Sequence, residues 1–195
     1  TGVVFNPTWT VPQSIVVGEG LGARLLANPR SAVRQGYKVT KTADGTVIVV
    51  QQPGDNNSLG RMKIDMPNPH AIYLHDTPGK HLFNAEVRAF SHGCIRTERA
   101  VELGMTMAIL GADLTPQQGI DYANSGKYTR VAMTKTFPVY LTYFTMGQDI
   151  TGKLRAFNDL YGRDAPVLAS FQQPRELKTA QRTSNEEIIK LDNPL

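Results

Sequence analysis

Two short segments constrain the fold of this chain most, because both alternate apolar residues with chemically active ones. Residues 72–75 read Ile-Tyr-Leu-His, and residues 91–96 read Ser-His-Gly-Cys-Ile-Arg. Side chains of an extended segment alternate between its two faces. If both segments are strands, the residues able to do chemistry share a face: Tyr73, His75, His92, Cys94 and Arg96. The pattern therefore predicts two strands that turn their apolar residues to a core and their reactive residues to a common cleft.

These residue types suit acyl transfer by a nucleophilic thiol. Cys94 is the only cysteine of the chain. A thiol attacks a carbonyl as its thiolate, and an imidazole can serve first as base and then as acid. Gly93 leaves room beside the backbone, so that N–H groups around Cys94 can hold a developing oxyanion. Arg96 offers a planar fork for a substrate carboxylate.

The composition narrows the classes of protein to which the chain can belong. The chain has 195 residues with 41% apolar and 19% charged residues, which fits one globular domain with a real core. The net charge of +4 comes without a basic cluster dense enough to indicate nucleic-acid binding. There is no run of 18 apolar residues, and the first residues do not read as a signal peptide. A single cysteine excludes an internal disulfide.

The remaining pattern predicts a mixed α and β chain. Short helices are expected within 12–35, one of them capped by Ser31, and a hairpin is expected around Ala43-Asp44-Gly45. A helix from Thr97 would bring its N-terminal dipole close to Cys94, and Thr115-Pro116 should begin a second helix. Strands are expected over 1–5, 60–66, 70–75, 129–135 and 138–145, with 153–157 pairing back after a turn at 149–152. His70 and His81 are expected to be surface or loop histidines.

The two reactive segments resemble the active-site motif of the L,D-transpeptidase (YkuD) family of bacterial cell-wall enzymes. That motif is a histidine followed, some residues later, by Ser/Thr-His-Gly-Cys-x-Arg/Asn, and His75 with 91–96 matches it. Further segments resemble the larger Gram-negative, YcbB-type branch. They are Phe5-Asn-Pro-Thr-Trp-Thr-Val-Pro12, Met66-Pro-Asn68, Leu82-Phe-Asn84, Val87-Arg-Ala-Phe90 and Tyr161-Gly-Arg-Asp164. The resemblance extends over about residues 1–165.

The resemblance implies a mainly β fold with α-helices (α+β), an L,D-transpeptidase-like β-sandwich. The catalytic domain would span 1–165, with a helical and hairpin capping subdomain inserted at 13–57, and 166–195 would be a C-terminal extension. The first strands of the family domain are expected to be absent from this chain. The segment 13–57 has a second interpretation, a helical insertion with no role in binding. The stretch 175–195 is expected to be either a docked helix or a loose tail.

The resemblance also implies an activity. Cys94 would form a thioester with the third residue of a peptidoglycan stem tetrapeptide, release D-Ala and pass the acyl group to an amine of another stem. Water or a protein amine are alternative acceptors. His75 would be the base, its ring oriented by the carbonyl of Asp76, although His92 is the second candidate for that role. His92 and Gly93 would otherwise polarise the thiol or order the oxyanion site.

Substrate contacts are assigned to Tyr73, Ser91 and Arg96. The partners implied are peptidoglycan stem peptides and, as covalent inhibitors, carbapenems and other β-lactams, in the periplasm or cell envelope of a Gram-negative bacterium. Neither a cofactor, a metal nor nucleic acid is expected, and membrane anchoring would need sequence absent from this chain.

Two non-enzymatic hypotheses are weaker. A metal-binding module would use histidines 70, 75, 81 and 92 with Cys94, but these residues lack the paired spacing of zinc ligands. A non-catalytic peptidoglycan-binding relic would be expected to have lost His75, Cys94 or Arg96, and all three are present.

Overall fold

The computed structural model of the chain describes residues 1–91 and 93–172. The chain divides into two compact units, one containing Thr1–Thr136 and the other beginning at Phe137. His92 and the stretch 175–195 lie outside the described residues. This division into compact units does not test where a catalytic domain ends, so the predicted domain boundary after residue 165 stays a prediction.

The strands and helices alternate along the first unit. Its strands are β1 (Gly2–Phe5), β2 (Trp9–Thr10), β3 (Tyr37–Lys41), β4 (Val47–Gln51), β5 (Met62–Asp65), β6 (Leu74–His75), β7 (Ile95–Arg96) and β8 (Thr129–Ala132). Its α-helices are α1 (Leu21–Ala27), α2 (Pro29–Arg34), α3 (Ala100–Ala112) and α4 (Pro116–Asn124). A π-helical turn spans Ser14–Gly18, and a 3-10 turn spans Lys80–Asn84. The predicted α+β class is confirmed.

The main sheet has the strand order β7-β6-β5-β1-β8. The apolar strand β1 is antiparallel to β5 on one side and to β8 on the other. The last two strands, β6 and β7, are parallel, with Leu74 opposite Ile95 and His75 opposite Arg96. Strand β6 also pairs with β5, which places Lys63 opposite His75. His75 therefore lies between the strand of Lys63 and the strand that directly follows Cys94.

One hydrophobic cluster joins the main sheet to α3. It contains Val3, Phe5 and Met62 from the sheet and Ala100 and Ala108 from the helix. Small residues recur on the contacting face of α3 at four-residue spacing, and this lets the helix approach the sheet closely. A Cβ on Gly104, between the two alanines, would lie 2.5 Å from Met62 Cγ. Helix α3 therefore packs closely on β1 and β5, and the candidate site lies at the β6–β7 edge of the same sheet.

The segment that holds α1, α2, β3 and β4 has a core of its own. The buried cluster consists of Val11, Val16, Leu21, Leu25, Ala32 and Val49. Strands β2, β4 and β3 form a separate sheet, and the predicted hairpin around residues 43–45 is present. The expected cap at Ser31 is wrong. Asn28 caps α2 instead, because its side-chain oxygen accepts a hydrogen bond from Ser31 N–H and Pro29 occupies the first helical position.

Three sequence-based boundaries need correction. The strand expected over 70–75 is only β6, because the preceding residues form a loop in which Ala71 has a φ of +52°. The helix expected from Thr97 begins at Ala100, because Thr97 N–H continues the sheet by donating to the His75 carbonyl at 2.8 Å. No strand forms over 138–145 among the described residues.

The second unit begins at Phe137, and its described part contains a hairpin and a helix. Strands β9 (Met146–Gln148) and β10 (Leu154–Ala156) pair around the predicted turn at 149–152, and α5 spans Asp164–Gln172. Tyr143 packs edge-on against Tyr161, with ring centroids 5.1 Å apart, and its hydroxyl donates to Asp159 at 2.7 Å. Within residues 1–91 and 93–172, no helix has the length and apolar content needed to cross a membrane.

Candidate active site

Six of the predicted site residues line a pocket of about 510 Å³. Its sheet wall contains Tyr73, His75, Ser91, Gly93, Cys94 and Arg96, and the adjoining loop adds His70, Ala71 and Ile72. A second set of lining residues comes from the N-terminal part of the chain and includes Trp9, Ile15, Glu19, Leu21, Arg24 and Tyr37. Chemically reactive residues therefore share the pocket with a mixed aromatic and charged set.

The register of the parallel pair β6–β7 brings the reactive residues together. Ile95 N–H donates to the Tyr73 carbonyl at 3.0 Å, and Thr97 N–H donates to the His75 carbonyl at 2.8 Å. These bonds place Cys94, the residue before β7, beside Tyr73. Because side chains alternate along both strands, the thiol, the phenol and the imidazole lie on the same side of the sheet.

His75 is buried, with 6% of its surface exposed. Its Nδ1–H donates to the Asp76 carbonyl at 2.5 Å, so Nε2 carries the lone pair that a base needs. Burial lowers the pKa of His75, opposed by the Asp76 carbonyl, and the positive charges of Arg96 and Lys63 lower this pKa further. The imidazole is therefore held in its neutral form, with one nitrogen fixed by the backbone and the other available for proton transfer.

Tyr73 lies beside Cys94 in the pocket. Burial raises the pKa of Tyr73 well above its ordinary value, and the neighbouring Cys94 and Asp65 act in the same direction. Tyr73 consequently stays a protonated donor beside the sulfur. Its ring lies edge-on to the His75 ring, with centroids 5.7 Å apart. Cys94 Sγ also lies 3.9 Å from the Ala71 carbonyl oxygen, the sulfur being partly exposed at the pocket wall.

The loop before Cys94 is tied by its own side chains. Ser91 Oγ donates to the Cys94 carbonyl at 2.5 Å and accepts from Gly93 N–H at 3.1 Å. Gly93 has a φ of +145°, which a side chain would disfavour. Because Gly93 N–H is engaged by Ser91, it is not free in this structure to stabilise an oxyanion. The predicted roles of His92 and of Ser91 in catalysis or substrate binding stay predictions.

Two charged site residues are anchored by the backbone. Arg96 Nη2–H donates to the Phe90 carbonyl at 3.3 Å while the side chain lines the pocket. The Asp76 carboxylate accepts a hydrogen bond from Arg61 N–H at 2.8 Å and lies 2.6 Å from Lys80 Nζ. The Asp76 backbone thus positions the imidazole, and its side chain holds that backbone in place.

Sequence reasoning missed part of the pocket. His70 is exposed, as expected, but it lines the pocket rather than lying remote from it. The contributions of Arg24 and Tyr37 were also unexpected, since nothing local in α1 or β3 marks them as facing the thiol. The signal came from the resemblance to the family, which covers the Trp9 segment and implies a capping subdomain over 13–57 without marking these two residues. Among the described residues, no three His, Cys, Asp or Glu side chains cluster as a metal site.

Comparison with known proteins shows the family of the chain. Residues 1–104 match the model of the YkuD family, described as the L,D-transpeptidase catalytic domain. The chain belongs to the L,D-transpeptidase (YkuD) family. It is also 29% identical over 182 residues to a Haemophilus influenzae protein that carries the name "Putative L,D-transpeptidase". The match covers 86% of this chain and 37% of that relative, so the chain spans well under half of the relative's length.

Proposed function

We propose that the chain is the catalytic part of a peptidoglycan L,D-transpeptidase in the periplasm or cell envelope, with Cys94 as its nucleophile. The observation that carries the proposal is the convergence of the thiol, the Tyr73 hydroxyl and a neutral, backbone-oriented His75 on one pocket. Family membership supplies the substrate class, a stem tetrapeptide.

In the acylation step, the proton of the Cys94 thiol passes to His75 Nε2 as the sulfur attacks the carbonyl of the third stem residue. The C–N bond to the terminal D-Ala then breaks, and the imidazolium returns its proton to the leaving amine. The product is a thioester on Cys94 and free D-Ala. The Tyr73 hydroxyl, a protonated donor beside the sulfur, stabilises negative charge as it develops there.

In the transfer step, the amine of a second stem attacks the thioester carbonyl, and its proton passes to His75. The C–S bond breaks, the thiolate recovers the proton, and a 3-3 cross-link is released. Water in place of the amine would give a carboxypeptidase, and a protein amine would give attachment of that protein to peptidoglycan. Arg96 is proposed to bind a stem carboxylate, since its guanidinium lines the pocket beside Cys94.

We further propose that the segment 13–57 caps the site. Five of its residues line the same pocket as the thiol: Ile15, Glu19, Leu21, Arg24 and Tyr37. A wall of this kind orders a flexible peptide and excludes water, which favours an amine acceptor over hydrolysis. This interpretation is favoured over an insertion without a role because the segment contributes side chains to the pocket itself.

The test is mass spectrometry of the purified protein incubated with tetrapeptide muropeptides and, separately, with a carbapenem. The wild-type protein is expected to gain a covalent adduct on Cys94 and to produce cross-linked dimers. Cys94→Ala is expected to lose both products while keeping its far-ultraviolet circular dichroism, because removing one sulfur from a pocket wall creates little cavity. An adduct in the Cys94→Ala protein, or wild-type protein that never forms one, would overturn the proposal.

A further inference from the structure

Lys63 is a nearly buried lysine that the reaction scheme does not use. Only 12% of its side chain is exposed, although it lies on β5, directly opposite His75 in the sheet. Burying an ammonium group is unfavourable unless it has compensating partners. The partners of Lys63 therefore indicate what the residue does.

The first partner is the ring of Tyr73. Lys63 Nζ lies 4.4 Å from the ring centroid, within the range of a cation–π interaction. Tyr73 lines the pocket together with Cys94, and the backbone bond from Ile95 N–H to the Tyr73 carbonyl holds the two residues side by side. The ammonium group therefore contacts the ring that lies next to the proposed nucleophile.

The second partner is the Asp65 carboxylate. Lys63 Nζ lies 2.9 Å from Asp65 Oδ1, close enough for an ion pair, but Oδ1 has no geometrically aligned hydrogen bond among the described residues. Arg130 Nε lies 3.6 Å from Oδ2 of the same carboxylate. One carboxylate therefore pairs with two cations, and the group of three keeps a formal net charge of +1 next to the strand that carries His75.

We propose that Lys63 is a positioning residue for the reaction, which fixes the Tyr73 ring next to the Cys94 thiol and keeps a positive charge beside the Tyr73, His75 and Cys94 group. The inference rests on the proposed function only in treating those three residues as the reacting group. A positive charge at this place stabilises an anionic nucleophile and disfavours protonation of the imidazole.

The electrostatics around His75 agree with this role. The charged groups that act on its ring are Arg96 from β7 and Lys63 from β5, which lower the pKa of His75, and Asp76 from the end of β6, which raises it. Among the described residues, Tyr73 and Cys94 are further titratable groups of this pocket, Asp65 pairs with Lys63, and Lys80 pairs with Asp76. Arg96 is the stronger of the two cations, and Lys63 is the one that also contacts Tyr73.

The first experiment follows the titration of the His75 ring by NMR, its signal assigned by comparison with His75→Gln. Lys63→Met is expected to move the titration of His75 to higher pH, because one of the two cations that disfavour its protonation is gone. Lys63→Arg keeps the charge and the ring contact, so its titration should match the wild-type curve. Lys135→Met is the matched control, since it removes an exposed lysine that lies 2.8 Å from Asp113 and outside the pocket.

The second experiment measures alkylation of Cys94, the only thiol, by iodoacetamide at a pH above the His75 titration. The rate is expected to fall about five- to tenfold in Lys63→Met and to stay near the wild-type value in Lys63→Arg and Lys135→Met. Lys63→Gln separates charge from packing, because its amide can still bond to Asp65. The proposal expects Lys63→Gln to behave like Lys63→Met.

Each outcome of the two experiments either supports the role of Lys63 or overturns it. If Lys63→Met and Lys63→Gln leave the His75 titration and the alkylation rate unchanged, Lys63 is only a structural partner of Asp65 and the proposal is overturned. A Lys63→Gln protein with wild-type values overturns it equally, even if Lys63→Met does not fold. Neither readout uses a peptidoglycan substrate, so a failure of the cross-linking assay would be distinguishable from a failure here.

Discussion

Gly60 permits the contact that holds Asp76, and through it His75, in position. Its φ is +60°, and a Cβ at this position would lie 2.5 Å from Asp76 Cγ. Asp76 accepts a hydrogen bond from Arg61 N–H at 2.8 Å, and its carbonyl orients the His75 ring. The change Gly60→Ala should therefore both strain the backbone and displace the residue that fixes the base.

The magnitude has two parts. A left-handed conformation costs a residue with a side chain about 1–2 kcal/mol. Displacing Asp76 adds overpacking strain and weakens a hydrogen bond to a charged acceptor, together about 2–3 kcal/mol. Gly60→Ala is thus expected to lower the free energy of unfolding by about 3–5 kcal/mol.

Gly126→Ala is a matched control. Gly126 has a φ of +65° with no atom within 4 Å of the added Cβ, so it should show only the backbone cost of about 1–2 kcal/mol. The entropy lost by the unfolded chain is the same in both variants and cancels in their difference. The measurement is urea unfolding followed by the fluorescence of Trp9, the only tryptophan, which lies in the first unit. Equal destabilisation of the two variants would refute the packing argument at Asp76.

Two further predictions concern pH and helix capping. The pKa of His75 is lower in the folded chain than in the unfolded chain. As the pH falls, the unfolded chain therefore takes up this proton before the folded chain does, and the free energy of unfolding should decrease below about pH 6.5. Urea unfolding across that range should show this loss in the wild type and a smaller one in His75→Gln, and identical slopes would contradict it. Thr115→Ala should cost about 1 kcal/mol, since it removes the side-chain half of the capping box with Gln118 at the start of α4. An unchanged urea midpoint would show that this cap contributes nothing.

The reactive wall of the pocket could be predicted from sequence because strand alternation acts locally. Once 72–75 and 91–96 are extended, the side of each residue follows from its position alone. The structure shows this for Tyr73 and Cys94, whose side chains meet although they are far apart in the chain. Ile72 breaks the pattern and lines the pocket, because strand β6 begins only at Leu74.

The loop before β6 shows why that boundary was missed. Asn68 accepts from the N–H groups of His70 and Ile72 and donates to the carbonyls of Met66 and Ile72. These bonds replace a strand ladder with a side-chain network, which asparagine offers to nearby backbone. The β-branched and aromatic residues that follow gave a strong strand signal, and the side-chain network overrode it.

The second wall of the pocket was beyond local reasoning for a different reason. Arg24 and Tyr37 belong to elements whose pattern is explained by their own hydrophobic cluster, which buries Leu21 and Leu25. Which of their exposed residues then face Cys94 depends on how that cluster sits against the main sheet, and no short-range pattern encodes this. The order of Trp9, α1 and β3 along the chain does not predict this placement either.

The pocket residues of the main sheet and those of the segment 13–57 differ in what holds them in place. The groups proposed to make and break bonds lie on or next to two adjacent strands whose register is fixed by backbone hydrogen bonds, at 3.0 Å for Ile95 and 2.8 Å for Thr97. Other residues of the pocket lie on a segment with a separate core. We therefore expect changes in the pocket-lining side chains of that segment to leave the thiol, the phenol and the imidazole in place. In the proposed function the segment adds substrate contacts to that of Arg96, and Lys63, on the adjacent strand β5, belongs with the reacting groups.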